Sequence, residues 1–347
     1  MLSALGDLFP DADIFTHAYV PENVPPFSRF RVRESLIARM PFGRRHPQWY
    51  LPLMPMAARC LDLDGYGLMV SSESGPIKGV RKPAGVRHVC YCHTPMRYLW
   101  DMHGEYYRSS GMGGRIAMKA FTGYLRREDL KSAESVDEFV ANSAFVAERI
   151  RRIYGRRSTV VHPPVDVSFF GERASVPLPA GLEPKSYYLY VGELCDYKRP
   201  DLALEACARM GRKLVVAGNG KMRERLAKRA CGCDSAVFLG RVSGDELRVL
   251  FSCSRALLFP GIEDFGIVPV EAQAAGVPVV ARGEGGALET VDDGITGLFF
   301  AEDSVESLCG AIEVFESRAW SEDACRKNAA RFSKARFLEK MRRIVHE

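Results

Sequence analysis

The sequence predicts an α/β protein with two Rossmann-like, doubly wound parallel sheets. Three observations lead to this fold class. Short apolar runs alternate with helical patterns along the whole chain, as expected for parallel strands joined by crossover helices. A stretch rich in Pro, Gly and Ser at 171–186 separates these runs into two groups. At 347 residues the chain is also long enough for two domains.

The first group of runs predicts an N-terminal domain over 1–172, with strands in DADIFTH, YGLMVSS, RHVCYCH, EFVANS and STVVHPP. The second group predicts a C-terminal domain over 173–332, with strands in YYLYVGEL, KLVVAGNG, AVFLGRV, RALLFPG, PVVAR and GLFF. Residues 333–347 have the pattern of an amphipathic helix, which we expect to pack back on the N-terminal domain. Open parallel sheets bind ligands at the carboxyl ends of their strands, so we expect the ligand in a cleft between the domains.

Composition excludes several classes of protein. No apolar run reaches the length of a membrane span, and the N-terminal stretch lacks the basic and apolar regions of a secretory signal. The net charge of +5 is mild, and no nucleic-acid-binding motif is present. The ten cysteines include the pairs Cys90/Cys92 and Cys231/Cys233, which lack the spacing of zinc ligands. A reducing, cytoplasmic location is therefore the simplest expectation.

The segment EDFGIVPVE, from Glu263 to Glu271, is the most informative part of the chain. It follows a predicted buried strand, so one acid lies on a loop and the other lies inside a helix that begins there. The first turn of a helix offers free N–H groups to oxygen-rich ligands, and carboxylates accept hydrogen bonds from sugar hydroxyls. The segment therefore predicts a site for a polyol that carries a phosphate.

Five motifs resemble those of the retaining glycosyltransferases of family 4, which have the GT-B fold. The similarity is greatest to bacterial polysaccharide and O-antigen mannosyltransferases, and it covers nearly the whole chain. The last two motifs are the most specific. In chain order the motifs are YCHTPMRYLWD (91–101), FVANSAFVAERIRRIYG (139–155), VVHPPVDVSFF (160–170), YVGELCDYKRPDLALEA (190–206) and GIEDFGIVPVEAQAAGVPVV (261–280).

This resemblance implies a retaining, metal-independent enzyme that moves a hexose, first of all mannose from GDP-mannose, onto a lipid-linked glycan. No residue distinguishes guanine from uracil, so a UDP-sugar-dependent glycosyltransferase stays open. A sugar-nucleotide epimerase of the same architecture and a non-catalytic sugar-nucleotide-binding subunit are further alternatives. The expected partners are the nucleotide sugar and the lipid-linked acceptor, with no nucleic acid and no cofactor beyond the donor itself.

The charge that develops during transfer indicates which cations to look for. Negative charge grows on the departing phosphate, so a fixed cation stabilises the transition state more than the ground state. Lys198 follows a predicted strand and matches the family lysine that holds the diphosphate, whereas Arg199 is a weaker candidate because many relatives have Gly there. Glu193 stands where many relatives have Arg, and since an anion repels a diphosphate, it is left out of the predicted site.

The two acids match family residues with different roles. Glu271 matches the acid that binds the ribose, and Glu263 matches the acid near the sugar ring and the acceptor. Val242 matches a position that contacts the base through its backbone. Backbone N–H groups between the acids are expected to meet sugar hydroxyls and phosphate; they belong to Asp264, Phe265, Gly266 and Ile267.

In the first half of the chain, His93 ends a predicted strand, and the resemblance implies a role near the transferred sugar. Arg97, and with it Asp101, is expected to face the acceptor. Gly218 and Gly220 either line the nucleotide or only form a turn. For Gly285 and Gly286 a structural turn is the favoured interpretation.

Two further features concern metals and membranes. Asp11/Asp13 and Asp62/Asp64 have an Asp-x-Asp spacing but do not follow a long apolar strand, so neither is expected to bind a metal ion. Residues 27–50 contain six arginines, one Glu and several aromatic residues. This stretch is either a solvated surface or a peripheral contact with an anionic inner membrane.

The resemblance also raises an expectation about the N-terminus. Family members open with a strand and a Gly-rich turn, whereas this chain begins inside the helix that follows them. That strand is central in a sheet of order 3-2-1-4-5, so its neighbours would lose ladder partners. We therefore expect the natural protein to start upstream, with the N-terminal strand missing here, and we expect the chain as given to express poorly or to lack activity.

Overall fold

A computed structural model describes residues 1–23, 27–172, 176–230 and 235–346. Part of the expected interdomain linker and the Cys231/Cys233 pair lie outside the described residues. The chain divides into two compact units, unit 1 with Met1–His162 and Leu338–Glu347, and unit 2 with Pro163–Phe337. The division therefore precedes the boundary expected after residue 172, because Phe170 packs in the core of unit 2.

Unit 1 contains five helices and six strands in its described residues. The helices are α1 (Leu2–Leu8), α2 (Met54–Arg59), α3 (His103–Ser109), α4 (Met112–Glu134) and α5 (Ala144–Tyr154). The strands are β1 (Asp13–Thr16), β2 (Arg31–Glu34), β3 (Leu68–Glu73), β4 (Arg87–Cys92), β5 (Glu138–Ala141) and β6 (Ser158–Val160).

The described residues of unit 2 contain six strands and eight whole helices, and a further helix begins in unit 2 and runs on into unit 1. The strands are β7 (Tyr187–Val191), β8 (Lys213–Ala217), β9 (Ala236–Gly240), β10 (Leu257–Phe259), β11 (Val279–Arg282) and β12 (Gly297–Phe300). The helices that lie wholly in the unit are α6 (Val167–Gly171), α7 (Pro200–Arg209), α8 (Arg223–Ala230), α9 (Gly244–Cys253), α10 (Ile267–Ala274), α11 (Ala287–Thr290), α12 (Val305–Glu316) and α13 (Glu322–Ala329). Helix α14 (Lys334–His346) begins in unit 2, and from Leu338 on it belongs to unit 1.

The strands of unit 1 form two separate parallel sheets, one of order β1-β2 and one of order β3-β4-β5-β6. Each of the five strands predicted for this half is present. Strand β2 was not predicted, because its sequence RVRE carries three charged residues in four positions and was interpreted as basic surface. Strands β4 and β5 are the inner ones of the larger sheet, and β4 is buried along almost its entire length.

The strands of unit 2 form one parallel sheet of order β12-β11-β10-β7-β8-β9. Successive residues of a strand point to opposite faces, and both faces are covered. Tyr187 and Leu189 of β7 pack into one core, while Tyr188 and Tyr190 pack into the other. The six predicted strands are all present, so the structure confirms two α/β units with parallel sheets.

The strand order of unit 2 reverses direction at β7. From β7 the chain adds β8 and β9 on one side, then returns to place β10, β11 and β12 on the other side. The loops after β7 and β10 therefore leave the sheet side by side, at the point where such sheets bind ligands. Lys198 lies on the first of these loops, and Glu263 lies on the second.

Candidate functional site

Two residues predicted from separate motifs are in direct contact at the reversal point of the sheet. The Nζ of Lys198 lies 2.8 Å from Oε1 of Glu263, and the two side chains are 19% and 23% exposed. Both side chains are thus accessible to a ligand while each neutralises the other. An ion pair that is partly exposed adds little to stability, so this arrangement is better suited to binding than to holding the fold together.

Glycines bring the two loops together closely enough for this contact. A Cβ on Gly261 would lie 2.6 Å from the Cα of Lys198, so only glycine allows the backbone after β10 to approach Lys198. The sequence analysis included Pro260 and Gly261 in the predicted strand RALLFPG, whereas β10 ends at Phe259, and it gave no sign that Gly261 supports the lysine.

The loop after β11 supports the other partner of the ion pair. The N–H of Gly286 donates to the carbonyl oxygen of Glu263 at 2.8 Å, and a Cβ on Gly286 would lie 2.3 Å from the Cα of Phe265. Gly285 has a φ of 69°, and a Cβ on it would lie 2.6 Å from the carbonyl oxygen of Glu263. These two glycines are structural, and they fix the backbone on which Glu263 is displayed.

Gly218 and Gly220 are also positions of close backbone approach. A Cβ on Gly218 would lie 1.9 Å from the carbonyl oxygen of Gly192, and one on Gly220 would lie 2.4 Å from that of Leu194. The N–H of Leu194 donates to Asn219 at 2.9 Å. The loops after β7 and β8 therefore pack backbone to backbone, which favours the turn interpretation of both glycines.

The segment between the two acids leads directly into helix α10. Asp264 and Phe265 are buried, and Phe265 packs its ring against Phe332 with centroids 5.5 Å apart. Gly266 caps the helix with a φ of 84°, and Ile267 begins it with a side chain that is 44% exposed. Phe265 thus anchors the loop in the core, and any ligand contact expected of it would come from its backbone.

Glu271 lies one turn inside α10 and is partly buried. Burial raises the pKa of its carboxyl to about 7, and no cation pairs with it among the described residues. Near neutral pH this group therefore exists in both protonation states. Hydroxyl donors from a ligand would favour the carboxylate form, because hydrogen bonds to a charged acceptor stabilise that form.

The structure separates Arg199 from the pair formed by its neighbour Lys198. Arg199 has a left-handed backbone with a φ of 50° at the start of α7, and its guanidinium forms ion pairs with Asp201 and Asp303. Val242 follows β9 at the same edge of the sheet and is partly buried against the core. Glu193 is exposed on the loop after β7 and has no ion-pair partner in the described ranges.

In unit 1, His93 directly follows β4, and contacts on both sides fix its position. The Nε2 of its ring lies 3.0 Å from the Oγ of Ser72. Its backbone N–H donates to the backbone carbonyl of Glu73 at 2.9 Å, and its own carbonyl accepts from the side-chain amide of Asn142 at 2.9 Å. Ser72 was not among the predicted site residues, and nothing in its sequence context distinguished it from other serines.

The remaining predicted residues of unit 1 lie on the segment after His93. A guanidinium nitrogen of Arg97 lies 3.9 Å from the sulfur of Met102. Asp101 forms ion pairs with Arg149 at 2.5 Å and Arg152 at 2.6 Å. The carboxylate of Asp101 is thus engaged by helix α5.

A buried ionic network includes Glu73, the residue whose backbone carbonyl accepts from His93, and the sequence analysis did not predict it. The ammonium of Lys78, which is fully buried, forms ion pairs with Glu73 and Asp129. Asp129 also accepts hydrogen bonds from Trp100 at 2.7 Å and from Tyr154 at 3.0 Å. A lysine in a polar loop ordinarily indicates solvated surface, so no sequence signal could have identified this network.

The basic stretch at 27–50 is less positive than its sequence suggests. Arg29 pairs with Asp7, Arg33 with Asp13, and Arg44 with Glu34. Phe42 and Trp49 are 65% and 62% exposed.

Among the described helices, none combines the length and apolar character needed to cross a membrane. In the same residues no three His, Cys, Asp or Glu side chains are grouped as metal ligands.

Comparisons with known proteins agree with this architecture. Residues 4–169 match the family described as Glycosyltransferase Family 4, and residues 179–332 match the family described as Glycosyl transferases group 1. A curated relative, the D-inositol 3-phosphate glycosyltransferase of Mycobacterium marinum, is 31% identical over 214 residues, which is 57% of this chain and 46% of the relative. The corresponding protein of Mycobacterium tuberculosis is 32% identical over 196 residues, 52% of this chain and 41% of its own length. The chain spans less than half the length of these relatives.

Solved structures with low sequence identity share the fold. Sucrose-phosphate synthase from Thermosynechococcus elongatus superposes with a TM-score of 0.73 at 20% identity, covering 99% of this chain and 90% of the other. The Anabaena protein HepE, in complex with UDP and glucose, gives a TM-score of 0.75 at 16% identity, covering 100% and 95%. Both likenesses concern the fold, and they confirm the predicted GT-B architecture.

Proposed function

We propose that the chain transfers a hexose from a nucleoside diphosphate sugar, because residues 4–169 match one glycosyltransferase family and residues 179–332 match another. The observation that carries this proposal is the Lys198–Glu263 contact of 2.8 Å at the reversal point of the unit 2 sheet. A cation for a diphosphate and an acceptor for sugar hydroxyls are adjacent there. The contact joins residues far apart in sequence, and both loops are held by glycines that tolerate no side chain.

Each residue has a distinct role in this proposal. Lys198 stabilises the charge that develops on the departing phosphate, which is the step at which a fixed cation contributes most. Glu271 accepts hydrogen bonds from the ribose, and Glu263 accepts them from the transferred sugar. Within unit 1, the proposal gives His93, which Ser72 and the backbone carbonyl of Glu73 hold in place, a contact with a sugar, and it gives Arg97 a contact with the acceptor.

The donor proposed first is GDP-mannose, from the similarity of the motifs to mannosyltransferases, with a UDP-hexose as the alternative. A thermal-shift panel of nucleotide sugars tests this choice. A specific donor at about 100 times its Kd would stabilise unit 2 by about 2.7 kcal/mol, whereas the other donors would not. Equal shifts with every nucleotide sugar, or none, would contradict a specific donor site.

Transfer, rather than isomerisation of the donor, is the proposed reaction. Incubation with the donor alone should leave the sugar unchanged apart from slow hydrolysis, and product should form only when a glycan acceptor is added. Retention of the anomeric configuration is part of the proposal, and proton NMR of the first product reports it directly. An epimerised sugar in the absence of acceptor would show the proposal to be wrong.

The reaction is proposed to need no metal ion, with Lys198 supplying the positive charge at the diphosphate. Addition of EDTA to the enzyme should leave the rate within about twofold. Complete loss of activity that manganese restores would contradict this part of the proposal without affecting the assignment of the donor site.

The acceptor is proposed to be a lipid-linked glycan, reached by a cytoplasmic protein that contacts the inner membrane peripherally. The exposed Phe42 and Trp49 support this, and so does Arg45 beside them. Binding to anionic vesicles should weaken with salt, because exposed charges are screened over about 8 Å at physiological ionic strength. Replacing Phe42 and Trp49 by Ser should abolish it, and unchanged binding would restore the interpretation as ordinary surface.

A further inference from the structure

Unit 1 contains a cavity of about 290 Å³ between helix α2, the loop after β3 and helix α4, and none of the predicted site residues lines it. Val80, Met96 and Leu125 line the cavity and are buried, so they form its inner wall. Pro55 and Pro76 continue this apolar surface. The volume is close to the lower end of the range for ligand pockets, so the cavity is suited to a small molecule.

Two cations at this cavity have no counter-ion. Arg81, on the loop, and Lys131, on α4, are exposed, and neither forms an ion pair within the described part of the chain. The other charged residues of the lining all belong to ion pairs, namely Arg59 with Glu128, Lys82 with Asp137, and Asp129 with Lys78. The cavity therefore combines an apolar inner wall with two unneutralised positive charges at its exposed rim.

The buried ionic network next to the cavity does not cancel this positive charge. It contains two acids, Glu73 and Asp129, and one lysine, Lys78. Burial raises the pKa of Glu73, and a raised pKa favours the protonated, neutral form of a carboxyl group. With Glu73 neutral, Lys78 and Asp129 balance each other, and the two rim cations determine the sign of the charge that a ligand meets.

We propose that this cavity binds a phosphate monoester that carries a single short apolar chain. The phosphate contacts Arg81 and Lys131 at the rim, and its charge of about −1.5 to −2 near pH 7 matches two cations better than a carboxylate does. The chain packs on the apolar inner wall and is removed from water. Because that wall consists of buried side chains, the chain has no exit on the far side, which excludes a lipid with long or paired chains.

The bound molecule also restrains a segment that carries a predicted site residue. Met96 precedes Arg97, and its carbonyl accepts from the N–H groups of Leu99 and Trp100 at 2.9 and 3.1 Å. The indole of Trp100 donates to Asp129, which also lines the cavity, at 2.7 Å. A chain packed against Met96 therefore holds residues 96–100 in place. The inference goes beyond the proposed transfer reaction and does not depend on it, since binding is measured without donor or acceptor.

Calorimetric titration of the full chain with hexyl phosphate tests the proposal. Hexanol lacks the charge and inorganic phosphate lacks the chain, so each should bind at least about tenfold more weakly than hexyl phosphate. Dihexanoyl phosphatidic acid, a soluble lipid with the same headgroup and two chains, should also bind at least about tenfold more weakly. Equal binding of any of these three molecules, or no binding of hexyl phosphate, would overturn the proposal.

Charge variants identify the groups that hold the phosphate. Arg81→Ala and Lys131→Ala should each weaken the binding of hexyl phosphate at least about fivefold. Lys119→Ala, at an exposed position of the same helix α4 outside the cavity, should leave the affinity unchanged. Equal losses in all three variants would show that the probe responds only to the net charge of the protein, and the proposal would then be wrong.

A cavity-filling variant locates the chain. Ser132→Leu places a larger side chain in the cavity, loses only a hydrogen bond within α4, and should abolish binding. Ala120→Leu adds a similar side chain at an exposed position of the same helix and should bind normally. In the unaltered protein, saturating hexyl phosphate should slow amide exchange at Leu99 and Trp100 at least about threefold. Normal binding by Ser132→Leu would overturn the site, and unchanged exchange would overturn its contact with the 96–100 segment.

Discussion

The two units differ in how far their parallel strands are joined into one sheet. Unit 2 has one six-stranded parallel sheet with a large core on each face, and its loops meet at a single reversal point. Unit 1 has four strands in one sheet and two in another, an open groove between them and several small cores. In unit 2 Lys198 and Glu263 lie on loops fixed by glycines, whereas in unit 1 the position of His93 is supported by a buried ionic network.

The two units therefore hold their predicted site residues in place by different interactions, backbone packing in unit 2 and buried ion pairs in unit 1. Backbone packing in unit 2 supports the loops, and the Lys198–Glu263 pair stays partly exposed. In unit 1 the side chains of Glu73, Lys78 and Asp129 are fully buried and Lys78 pairs with both acids, so their charges support the structure. The two kinds of support should respond differently to substitution.

The largest effect is expected from removing the buried cation of unit 1. Lys78→Met leaves Glu73 and Asp129 buried without their partner, and breaking such a pair costs about 3–5 kcal/mol. Chemical denaturation measures it. The matched control is Lys82→Met, since Lys82 pairs with Asp137 at 2.7 Å on the surface and should contribute less than about 1 kcal/mol. Equal effects of the two substitutions would show that the network does not support unit 1.

The second-largest effect is expected from removing the ammonium group of Lys198 in unit 2. Lys198→Ala should lower kcat/KM by about 2–4 kcal/mol of transition-state stabilisation, or about 30- to 1000-fold, with little change in stability. Lys221→Ala, an exposed lysine on the loop after β8, serves as the control and should retain activity. A Lys198→Ala enzyme within a few-fold of the unaltered protein would remove Lys198 from the mechanism.

A glycine of unit 2 tests the backbone support itself. Gly286→Ala forces a methyl group toward the Cα of Phe265 and should destabilise unit 2 by about 1–3 kcal/mol. Gly310→Ala, in helix α12 where nothing lies within 4 Å of the added Cβ, should instead stabilise it by about 0.5–1 kcal/mol. Thermal denaturation compares the two. If both variants melt at the same temperature, the close approach of the loops is not required.

The smallest effect is a dependence on pH. With a pKa of about 7, Glu271 is mostly protonated at about pH 6 and mostly ionised at about pH 8, so affinity for a nucleoside diphosphate should rise about tenfold over that range. Calorimetry in two buffers should also detect proton release on binding. Glu271→Gln should remove the Glu271 part of both effects, and a variant with an unchanged pH profile would contradict the ribose role.

Glu271 also makes the free energy of unfolding depend on pH, and this dependence is opposite in direction to that of ligand affinity. Because the folded-state pKa of Glu271 lies above its ordinary value, the folded protein binds more protons between about pH 4.5 and pH 7. The contribution of Glu271 to the free energy of unfolding therefore falls as the pH rises through this window. Ligand binding should weaken this loss, since it favours the carboxylate.

The sequence predicted the strands of unit 2 and the position of Lys198 on a loop that follows one of them, because these depend on patterns that are local in sequence. Apolar runs define strands, and the loops at their carboxyl ends lie at one edge of the sheet. It could not predict that Lys198 would contact Glu263 itself, because that distance depends on how closely Gly261 and Gly286 allow the loops to pack. Strand β2 was missed because three of its four residues are charged.

In unit 1 the sequence was a weaker guide for a physical reason. Lys78 pairs with Glu73, which is near it in sequence, and with Asp129, which lies 51 positions away, and the burial of a lysine becomes visible only when its surroundings are known. Arg199 shows the reverse case. Its motif indicated a ligand contact, but Asp303, more than a hundred positions away, competes for the guanidinium. The family roles of the site residues remain predictions that the variants above test.

The contact between Lys198 and Glu263 has a consequence for which molecules enter the site. Lys198 keeps further N–H donors and Glu263 keeps further lone pairs, so each can bind a ligand group while the pair stays closed. A solitary anion at Lys198 would still lie beside the negative charge of Glu263, which repels it. A molecule that presents phosphate oxygens and hydroxyl protons together gives each partner a contact of matching polarity. We therefore expect the pair to select the joined ligand over free phosphate and free sugar.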